Sequence, residues 1–366
     1  MAKKAVLIGI NYPGTSVELR GCVNDVRRMQ KCLIERFGFS KDDITVLIDT
    51  DNSCIQPTGK NIRDELKKLI ESGKSGDFLV FHYSGHGTRI PPETGIGDST
   101  GFDECITPCD MNLIMDHEFK EMVAHVKKGC RLTIISDSCH SGGLIEEVKE
   151  QIGESHVNPP KLGIANFFLS IVMTFLATCG IKKSLGDDQE TITREVELEN
   201  SGTVEMKTRY LPLDSFICLL EQQTGETDIE SRKIRSILVK VFGEDSSPHV
   251  LSKSMKRNGH RGFLSMFQGK GEVNADGSRL IPDKAILLSG CQTDQKSEDV
   301  YIRRTGKAYG AFSDAIQTIL STTRKEKKIT NKDMVMEARK LLKKQKFTQR
   351  PGLYCHDRYV NKQFIC

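Results

Sequence analysis

The sequence predicts an α/β fold in which a mostly parallel sheet is flanked by helices. Short apolar runs rich in β-branched residues alternate with segments whose apolar residues recur at helical spacing. This alternation is typical of parallel strands joined by crossover helices. Two of the runs end in turns of small residues, and open α/β sheets bind their ligands at that carboxyl edge.

The first 153 residues supply four of these strands and two of these helices. Helical periodicity predicts one helix from Leu19 to Phe37, closing near Gly38, and a second from Gly59 to Lys74. The order of the strands in the sheet does not follow from the sequence. Four apolar runs predict the strands, at 5–10, 44–48, 78–83 and 131–136.

The remainder divides into a connector and a C-terminal region. Residues 154–275 combine a Pro-Pro pair, an acidic stretch and two basic clusters, which predicts an inserted connector with some helices. Regular structure resumes with another apolar strand and two helices, the second capped by Thr330 and Asp333. We therefore expect residues 1–153 and 276–366 to build one sheet, with the connector between them.

The composition is that of a globular protein and lacks the excess of basic residues that is typical of nucleic-acid-binding proteins. Of the 366 residues, 37% are hydrophobic and 28% are charged, which allows a substantial core. The net charge is only +4, so binding to nucleic acid is not expected. The apolar segment 164–181 is interrupted by polar residues and is shorter than the roughly 20 residues of a spanning helix. It predicts a buried or docking helix and no membrane span.

Cysteine spacing and the N-terminus point to a reducing compartment. No two of the twelve cysteines form a Cys-x-x-Cys pair, so a zinc ribbon is not expected. The first residues predict a strand and not a signal peptide, because a short apolar run leads directly into a polar turn. We therefore expect reduced cysteines in the cytoplasm or nucleus, where a thiolate nucleophile persists.

Cys139 and His86 follow two of the predicted strands at equivalent positions. One run leads into Cys139 and a pair of glycines, and the other leads into His86 between two glycines. Parallel neighbouring strands would bring thiol and imidazole together, whereas His140 would point to the opposite face from the adjacent cysteine. On these residues alone, a Cys-His catalytic pair and two structural side chains are equally acceptable, because most free cysteines act as small buried hydrophobes.

Several ordered motifs resemble the metacaspases. His86 lies 53 residues before Cys139, a spacing similar to that of caspases. The long connector resembles that of the plant type II subgroup. The resemblance covers nearly the whole chain, and it implies a caspase-like fold with a large-subunit-like region at 1–153 and a small-subunit-like region at 276–366. The matching motifs are Leu-Arg-Gly-Cys-Val-Asn-Asp (19–25), Tyr-Ser-Gly-His-Gly-Thr (83–88), Gly-Phe-Asp-Glu (101–104), Asp-Ser-Cys-His-Ser (137–141) and Leu-Leu-Ser-Gly-Cys-Gln-Thr (287–293).

The resemblance implies a thiol endopeptidase. Cys139 would be the nucleophile that attacks a peptide carbonyl, and His86 would take the thiol proton and later protonate the leaving amine. The backbone amides of Gly87 and Cys139 would hold the oxyanion.

The resemblance also implies cleavage after Arg or Lys. Asp25 and Asp137 would bind the basic side chain of the substrate, with Cys22 and Ser84 completing the pocket wall. Taken alone, Asp25 is better explained as a carboxylate that satisfies a helix start.

Calcium is the implied activator, and no organic cofactor is expected. Type II relatives carry a run of acids in the loop before Gly101, where this sequence has Gly-Ile-Gly-Asp-Ser (95–99). Asp98, Asp103 and Glu104 remain as candidate ligands, and calcium takes about six oxygens or more. We therefore expect weaker binding than a fully acidic loop would give.

The self-cleavage position of the connector departs from the family pattern. Relatives carry a basic residue before Gln-Gln-Thr-Gly, whereas this chain has Glu221, which an acidic pocket would repel. Arg209, Arg232 and Lys233 are nearby substitutes, and maturation without any cleavage is the remaining alternative.

The leading hypothesis is therefore an Arg/Lys-specific cysteine endopeptidase, made as a zymogen and acting as a monomer on protein substrates in stress responses or programmed cell death. The alternative is a catalytically weak or silent protein that uses the same fold to bind partners. A cysteine phosphatase is excluded, because Ile145 stands where that chemistry needs an arginine. Legumain-type proteases share the sheet, but they are secreted and prefer Asn, which fits neither the N-terminus nor the predicted acidic pocket.

Overall fold

The computed structural model describes residues 1–92, 102–139, 149–153, 193–198, 202–247, 285–292 and 295–366. Within these ranges the strands are β1 (Lys3–Gly9), β2 (Ile44–Ile48), β3 (Phe78–Ser84), β4 (Gly87–Ile90), β5 (Asp103–Ile106), β6 (Ile114–Met115), β7 (Arg131–Asp137), β8 (Glu150–Ile152), β9 (Thr193–Leu198), β10 (Gly202–Thr208), β11 (Ala285–Ser289), β12 (Glu298–Ile302), β13 (Lys307–Gly310) and β14 (Gly352–Cys355). The helices are α1 (Cys22–Phe37), α2 (Gly59–Ser72), α3 (Asp116–Ala124), α4 (Leu213–Thr224), α5 (Ile234–Phe242), α6 (Ala311–Thr322), α7 (Asn331–Lys344) and α8 (Asp357–Val360).

A seven-stranded sheet, counted over the described residues, forms the centre of the molecule. Its order is β2-β1-β3-β7-β11-β14-β8, and the strands from β2 to β11 run parallel to their neighbours. β14 runs antiparallel to both of its neighbours. The predicted mostly parallel sheet is therefore confirmed, and the pairing of β7 with β11 joins strands from both ends of the chain.

Helices cover both faces of this sheet. Along β1, Val6 and Ile8 face the core beneath α2, α3, α4 and α5, whereas Ala5 and Leu7 face the core beneath α1, α6 and α7. This alternation follows from the two-residue period of a strand, and it explains why the run is apolar throughout.

The helix ends show how local sequence sets the boundaries. α1 begins three residues later than predicted from Leu19, because the amides of Arg20 and Gly21 bind the carboxylate of Asp299 instead of entering the helix. It ends at Gly38, whose φ of 68° is favoured by glycine. The predicted cap of α7 by Thr330 and Asp333 is confirmed as a reciprocal capping box.

The described part of the connector contributes side chains to the core of the molecule. In α4 and α5, Phe216, Leu220 and Ile234 are completely buried in the same core as β1. β10 joins a second sheet in the order β13-β12-β10-β9, and β4, β5 and β6 form a third. Residues 202–247 are thus an integral part of the fold, which the composition of the connector did not predict.

None of the described helices has the length and apolar character needed to cross a membrane. The apolar segment 164–181 lies outside the described residues.

Candidate active site

Strand register brings the predicted thiol and imidazole to one edge of the sheet. Ser84 at the end of β3 pairs with Asp137 at the end of β7. His86 and Cys139 each lie two residues further on, and both are 1% exposed. A Cβ atom on Gly87 would lie 2.1 Å from the carbonyl oxygen of Cys139, so the two loops touch and only glycine fits between them.

His86 is held as a neutral base. Its Nε2 lies 2.8 Å from the carbonyl oxygen of Val17, and since a carbonyl can only accept, Nε2 carries the ring proton. Nδ1 is buried and makes no hydrogen bond of normal geometry to any described residue. Burial lowers the pKa of His86 to about 4, although the carbonyls of Val17 and Arg209 oppose the shift. The ring is therefore uncharged near neutral pH, with a free lone pair on Nδ1.

Two tyrosines that the sequence did not single out position this histidine. The Tyr12 hydroxyl accepts a hydrogen bond from the His86 amide at 3.0 Å, and the two rings pack at a tilt of 41° with centroids 4.8 Å apart. The Tyr83 hydroxyl donates to the His86 carbonyl at 2.7 Å. The imidazole is thus fixed by its backbone and by one ring face.

The thiol of Cys139 is engaged by the C-terminal region. Its Sγ accepts a hydrogen bond from the backbone amide of Ser297 at 2.9 Å and lies 3.9 Å from the Thr208 hydroxyl. No hydrogen bond joins Sγ to the ring of His86. Thiol and imidazole therefore share one edge without forming a hydrogen-bonded pair in this state.

Beside the thiol, three carboxylates surround a completely buried guanidinium, that of Arg209. Nη2 of Arg209 lies 2.9 Å from both Asp25 and Asp299, and Nη1 lies 3.3 Å from Asp137. Nη1 also donates to the Ser84 hydroxyl and to the Asp137 carbonyl, each at 2.8 Å. The predicted residues Asp25, Asp137 and Ser84 therefore line one pocket, and the connector fills it.

The charges in this pocket shift the pKa values of its members. Burial raises the pKa of Asp25 to about 7, with Arg209 opposing the rise and Asp137 adding to it. Burial works against the charge of Arg209, yet the nearby Cys22, Asp137, Asp25 and Asp299 hold its pKa well above the usual value. Burial also raises the pKa of the Cys22 thiol, which Arg209 opposes, so Cys22 lies close to the guanidinium as well. The pocket strongly favours a cation.

Backbone and hydroxyl groups hold the carboxylates in place. The Gly310 amide lies 3.0 Å from both oxygens of Asp25. Asp137 accepts from the Ser297 hydroxyl at 2.6 Å and from the Ser313 amide at 2.7 Å. These donors belong to the C-terminal region, so that region completes the pocket that the first half of the chain begins.

The backbone of Arg209 also occupies the edge of the sheet. Its carbonyl oxygen accepts a hydrogen bond from the Gly87 amide at 3.0 Å, and its amide donates to the Ser297 carbonyl at 2.8 Å. Gly87 returns a bond through its own carbonyl, which accepts from the Leu211 amide at 2.9 Å. The carbonyl of Arg209 is thus hydrogen-bonded to the Gly87 amide, which was predicted to hold an oxyanion.

The predicted calcium ligands Asp103 and Glu104 do not form a cluster. Asp103 and Glu104 are consecutive residues of β5 and point to opposite faces. Asp103 binds the guanidinium of Arg235, and the buried Glu104 binds Arg89 at 3.0 Å. Asp98 lies outside the described residues. Among the residues that the structure does describe, no group of three or more His, Cys, Asp or Glu side chains is arranged to hold a metal ion.

The other candidate cleavage positions lie elsewhere in the connector. Glu221 is part of α4, and its carboxylate accepts from the Ile229 amide at 2.9 Å. Arg232 and Lys233 belong to a single 3-10 turn at 231–233, where Lys233 pairs with Glu230. In contrast to Arg209, these three residues make no contact with the acidic pocket among the described residues.

Sequence reasoning missed Asp299 and Ser297. Both follow β11, in a polar run that begins at Gln292. Their signal was the same as for Cys139, because a polar run directly follows a buried strand at the carboxyl edge of the sheet.

Comparisons with known proteins agree with this geometry. A model of the family described as "Metacaspase, peptidase C14 domain" matches residues 3–148. Metacaspase-8 of Arabidopsis thaliana is 64% identical over 393 residues, and Metacaspase-4 of the same plant is 52% identical over 420 residues, each alignment covering 100% of both chains. A crystal structure of a Geobacter sulfurreducens protein shares the fold, with a TM-score of 0.54 at 16% identity over 99% of this chain and 98% of that one. The chain therefore belongs to the metacaspase family, in its plant type II group, and is a cysteine-type peptidase with a caspase-like fold.

Proposed function

We propose that this protein is an endopeptidase that cleaves after Arg or Lys through Cys139 and His86, and that the described form is its inactive precursor. The supporting observation is Arg209: its guanidinium lies among three carboxylates while its carbonyl accepts a hydrogen bond from the Gly87 amide. A substrate residue about to be cleaved needs both contacts at once. The connector thus occupies the position of a substrate.

The proposed chemistry uses groups already at this edge. Nδ1 of His86 takes the proton of the Cys139 thiol, and the thiolate attacks the carbonyl carbon of the basic residue. The amides of Gly87 and Cys139 stabilise the oxyanion. His86 then gives the proton to the leaving amine, and water hydrolyses the acyl-enzyme to restore the thiol. Since Sγ is bound by the Ser297 amide in this structure, activation has to turn the thiol towards the imidazole.

The acidic pocket supports the preference for basic residues. A guanidinium satisfies Asp25, Asp299 and the Ser84 hydroxyl through its planar set of donors, and an ammonium group would enter as a compact charge. An acidic side chain would be repelled by the same carboxylates.

We place the activating cleavage at the Arg209–Tyr210 bond. Arg209 fills the pocket with an extended backbone on either side, whereas Glu221 lies within a helix and carries the wrong charge. Cleavage at Glu221 is therefore not part of the proposal, nor is cleavage at Arg232 or Lys233.

Calcium activation rests on the family resemblance alone, because Asp103 and Glu104 do not form a site in their described positions. Action as a monomer in the cytoplasm or nucleus, in stress responses or programmed cell death, is proposed on the same ground.

Hydrolysis of a fluorogenic peptide ending in Arg tests the proposal, with Cys139→Ala as the control enzyme and a peptide ending in Glu as the control substrate. We expect hydrolysis of the Arg peptide by the unmodified chain alone, and a new C-terminus at Arg209 by mass spectrometry. Both measurements are made with and without calcium. Equal signals from the two proteins would favour the silent binding protein.

A further inference from the structure

The loop that follows β1 reaches His86 by two routes. Through Tyr12, it contacts the backbone amide and one ring face of the histidine. Through the carbonyl of Val17, it holds the proton on Nε2 of the imidazole. The loop closes on itself, because the Leu19 amide donates to the Asn11 carbonyl at 2.8 Å. The position of this one loop therefore decides where the free Nδ1 of His86 points.

A carboxylate at the end of the neighbouring strand holds the start of this loop. Asp49 directly follows β2, which pairs with β1, and it is half-buried. One of its oxygens accepts from the Asn11 amide at 2.9 Å, and the other accepts from the Tyr12 amide at 2.6 Å. Each carboxylate oxygen thus binds one of two consecutive amides of the loop.

Tyr12 depends on this support because its backbone conformation is unfavourable. Its φ is 51°, in the left-handed region that residues other than glycine seldom adopt. Such a conformation persists only where surrounding contacts enforce it. Asp49 binds the Tyr12 amide, and the Thr15 hydroxyl donates to the Tyr12 carbonyl at 2.8 Å. Held in this way, the Tyr12 hydroxyl donates to the Thr107 carbonyl at 2.5 Å and accepts from the His86 amide.

We propose that Asp49 is a positioning residue for the reaction: it fixes the strained backbone of Tyr12, and Tyr12 in turn fixes the imidazole of His86 for proton transfer. This inference rests on the proposed function, because it takes His86 as the base. Among the described residues, Asp49 forms no hydrogen bond to His86 or Cys139, so its effect on the rate passes through the loop. A misplacement of about 1 Å in a reacting group can lower a rate by about 100-fold.

Asp49→Asn tests the inference, and Asp77→Asn is its matched control. Asp77 lies directly before β3, and its two oxygens accept from the amides of Ala2 at 2.6 Å and Lys74 at 3.0 Å. It therefore makes the same pair of bonds at the opposite edge of the sheet. Asparagine has one acceptor oxygen and an NH₂ group that only donates, so each variant leaves one backbone amide without its acceptor.

The two variants are compared on a fluorogenic Arg peptide. Each full chain is first cut in its connector by a trace of the unmodified enzyme, whose own hydrolysis is subtracted. We expect Asp49→Asn to lower kcat at least about tenfold and to leave KM within about twofold, because the acidic pocket still binds the substrate. Asp77→Asn should lower Tm by a similar amount and keep kcat within about twofold. A lowered Tm with unchanged kcat in Asp49→Asn, or equal losses of kcat in both variants, would overturn the inference.

A second variant tests the route through the tyrosine. Tyr12→Phe keeps the ring and removes the hydroxyl that binds the His86 amide, so kcat should fall at least about fivefold. Combined with Asp49→Asn, it should cost little more than the larger single loss, because both changes act on one contact. Fully additive losses would overturn this route. If Asp49→Asn does not fold, Tyr12→Phe decides the matter, and a kcat within about twofold of the unmodified value overturns the inference.

The outcomes separate this inference from the proposed function. An active unmodified chain, an inactive His86→Ala and an undiminished Asp49→Asn would leave the peptidase assignment intact and remove only the role of Asp49. No hydrolysis of the Arg peptide by the unmodified chain, with active controls for the assay, would overturn both.

Discussion

The carboxyl edge of the central sheet and the connector segment 202–247 differ in charge and in role, and they meet at one buried guanidinium. The edge supplies carboxylates, a neutral imidazole and the Gly87 amide, whereas the connector supplies Arg209 and two apolar helices. The edge is organised to bind a cationic strand, and the connector is organised to be that strand. Under the proposed function, inhibition of the precursor and recognition of the substrate therefore depend on the same contacts.

The largest expected effect lies at the edge. Replacing the proposed base by His86→Ala should lower kcat on an Arg peptide by at least about 100-fold, because the thiol loses its proton acceptor. The control is His125→Ala, which replaces an exposed histidine whose ring bonds to the Glu121 carbonyl on its own helix, and it should retain full activity. Activity of His86→Ala within about threefold of the unmodified enzyme would mean that the base lies elsewhere.

The next effect concerns the guanidinium where the two regions meet. In a Cys139→Ala background, Arg209→Glu should lower the free energy of unfolding by about 3 to 5 kcal/mol, because it leaves three buried carboxylates without a cation and adds a fourth. Chemical denaturation measures this loss. Arg232→Ala changes an exposed arginine of the same connector and should have little effect. Similar values for both variants would show that the pocket does not hold the connector.

The two regions also differ in how far the sequence predicted them. Cys139 and His86 could be singled out because strand ends are local signals and a parallel sheet brings them to one edge, whereas the role of Asp25 and Asp137 was expected only from the family resemblance. The placement of Arg209 could not be predicted, because an arginine becomes buried only where distant carboxylates offset its desolvation. Asp299 comes from a strand almost 275 residues after Asp25 in the chain, and no local pattern links the two.

A pH dependence of stability tests the burial of the edge independently of the connector. Burial lowers the pKa of His82 on β3 to about 4, with Asp137 opposing the shift. The unfolded chain takes up this proton near pH 6.5, before the folded chain does, so the stabilisation present above pH 6.5 is lost as the pH falls to 4.

We therefore expect the unmodified chain to lose up to about 3 kcal/mol over that window relative to His82→Gln. Denaturation at several pH values gives both curves, and their difference removes the contributions of other groups, including Asp25, whose raised pKa acts in the opposite direction. Parallel curves would mean that His82 is hydrated in the folded state.

The smallest effect concerns a second contact between the regions. Arg235 of α5 donates to the Pro91 carbonyl and to Asp103. This contact attaches the connector to β5 through residues that do not belong to the acidic pocket. Arg235→Met keeps the apolar stem and removes the charge, so it should cost about 2 kcal/mol. Lys240→Met on the same helix removes an exposed pair with Glu226 and should cost less than about 1 kcal/mol.

Because Arg235 contacts no catalytic group, hydrogen exchange should accelerate in α5 and stay unchanged in β3 and β7. Equal acceleration in all three elements would mean that the connector and the sheet open as one unit. The two regions would then differ in charge but not in local stability.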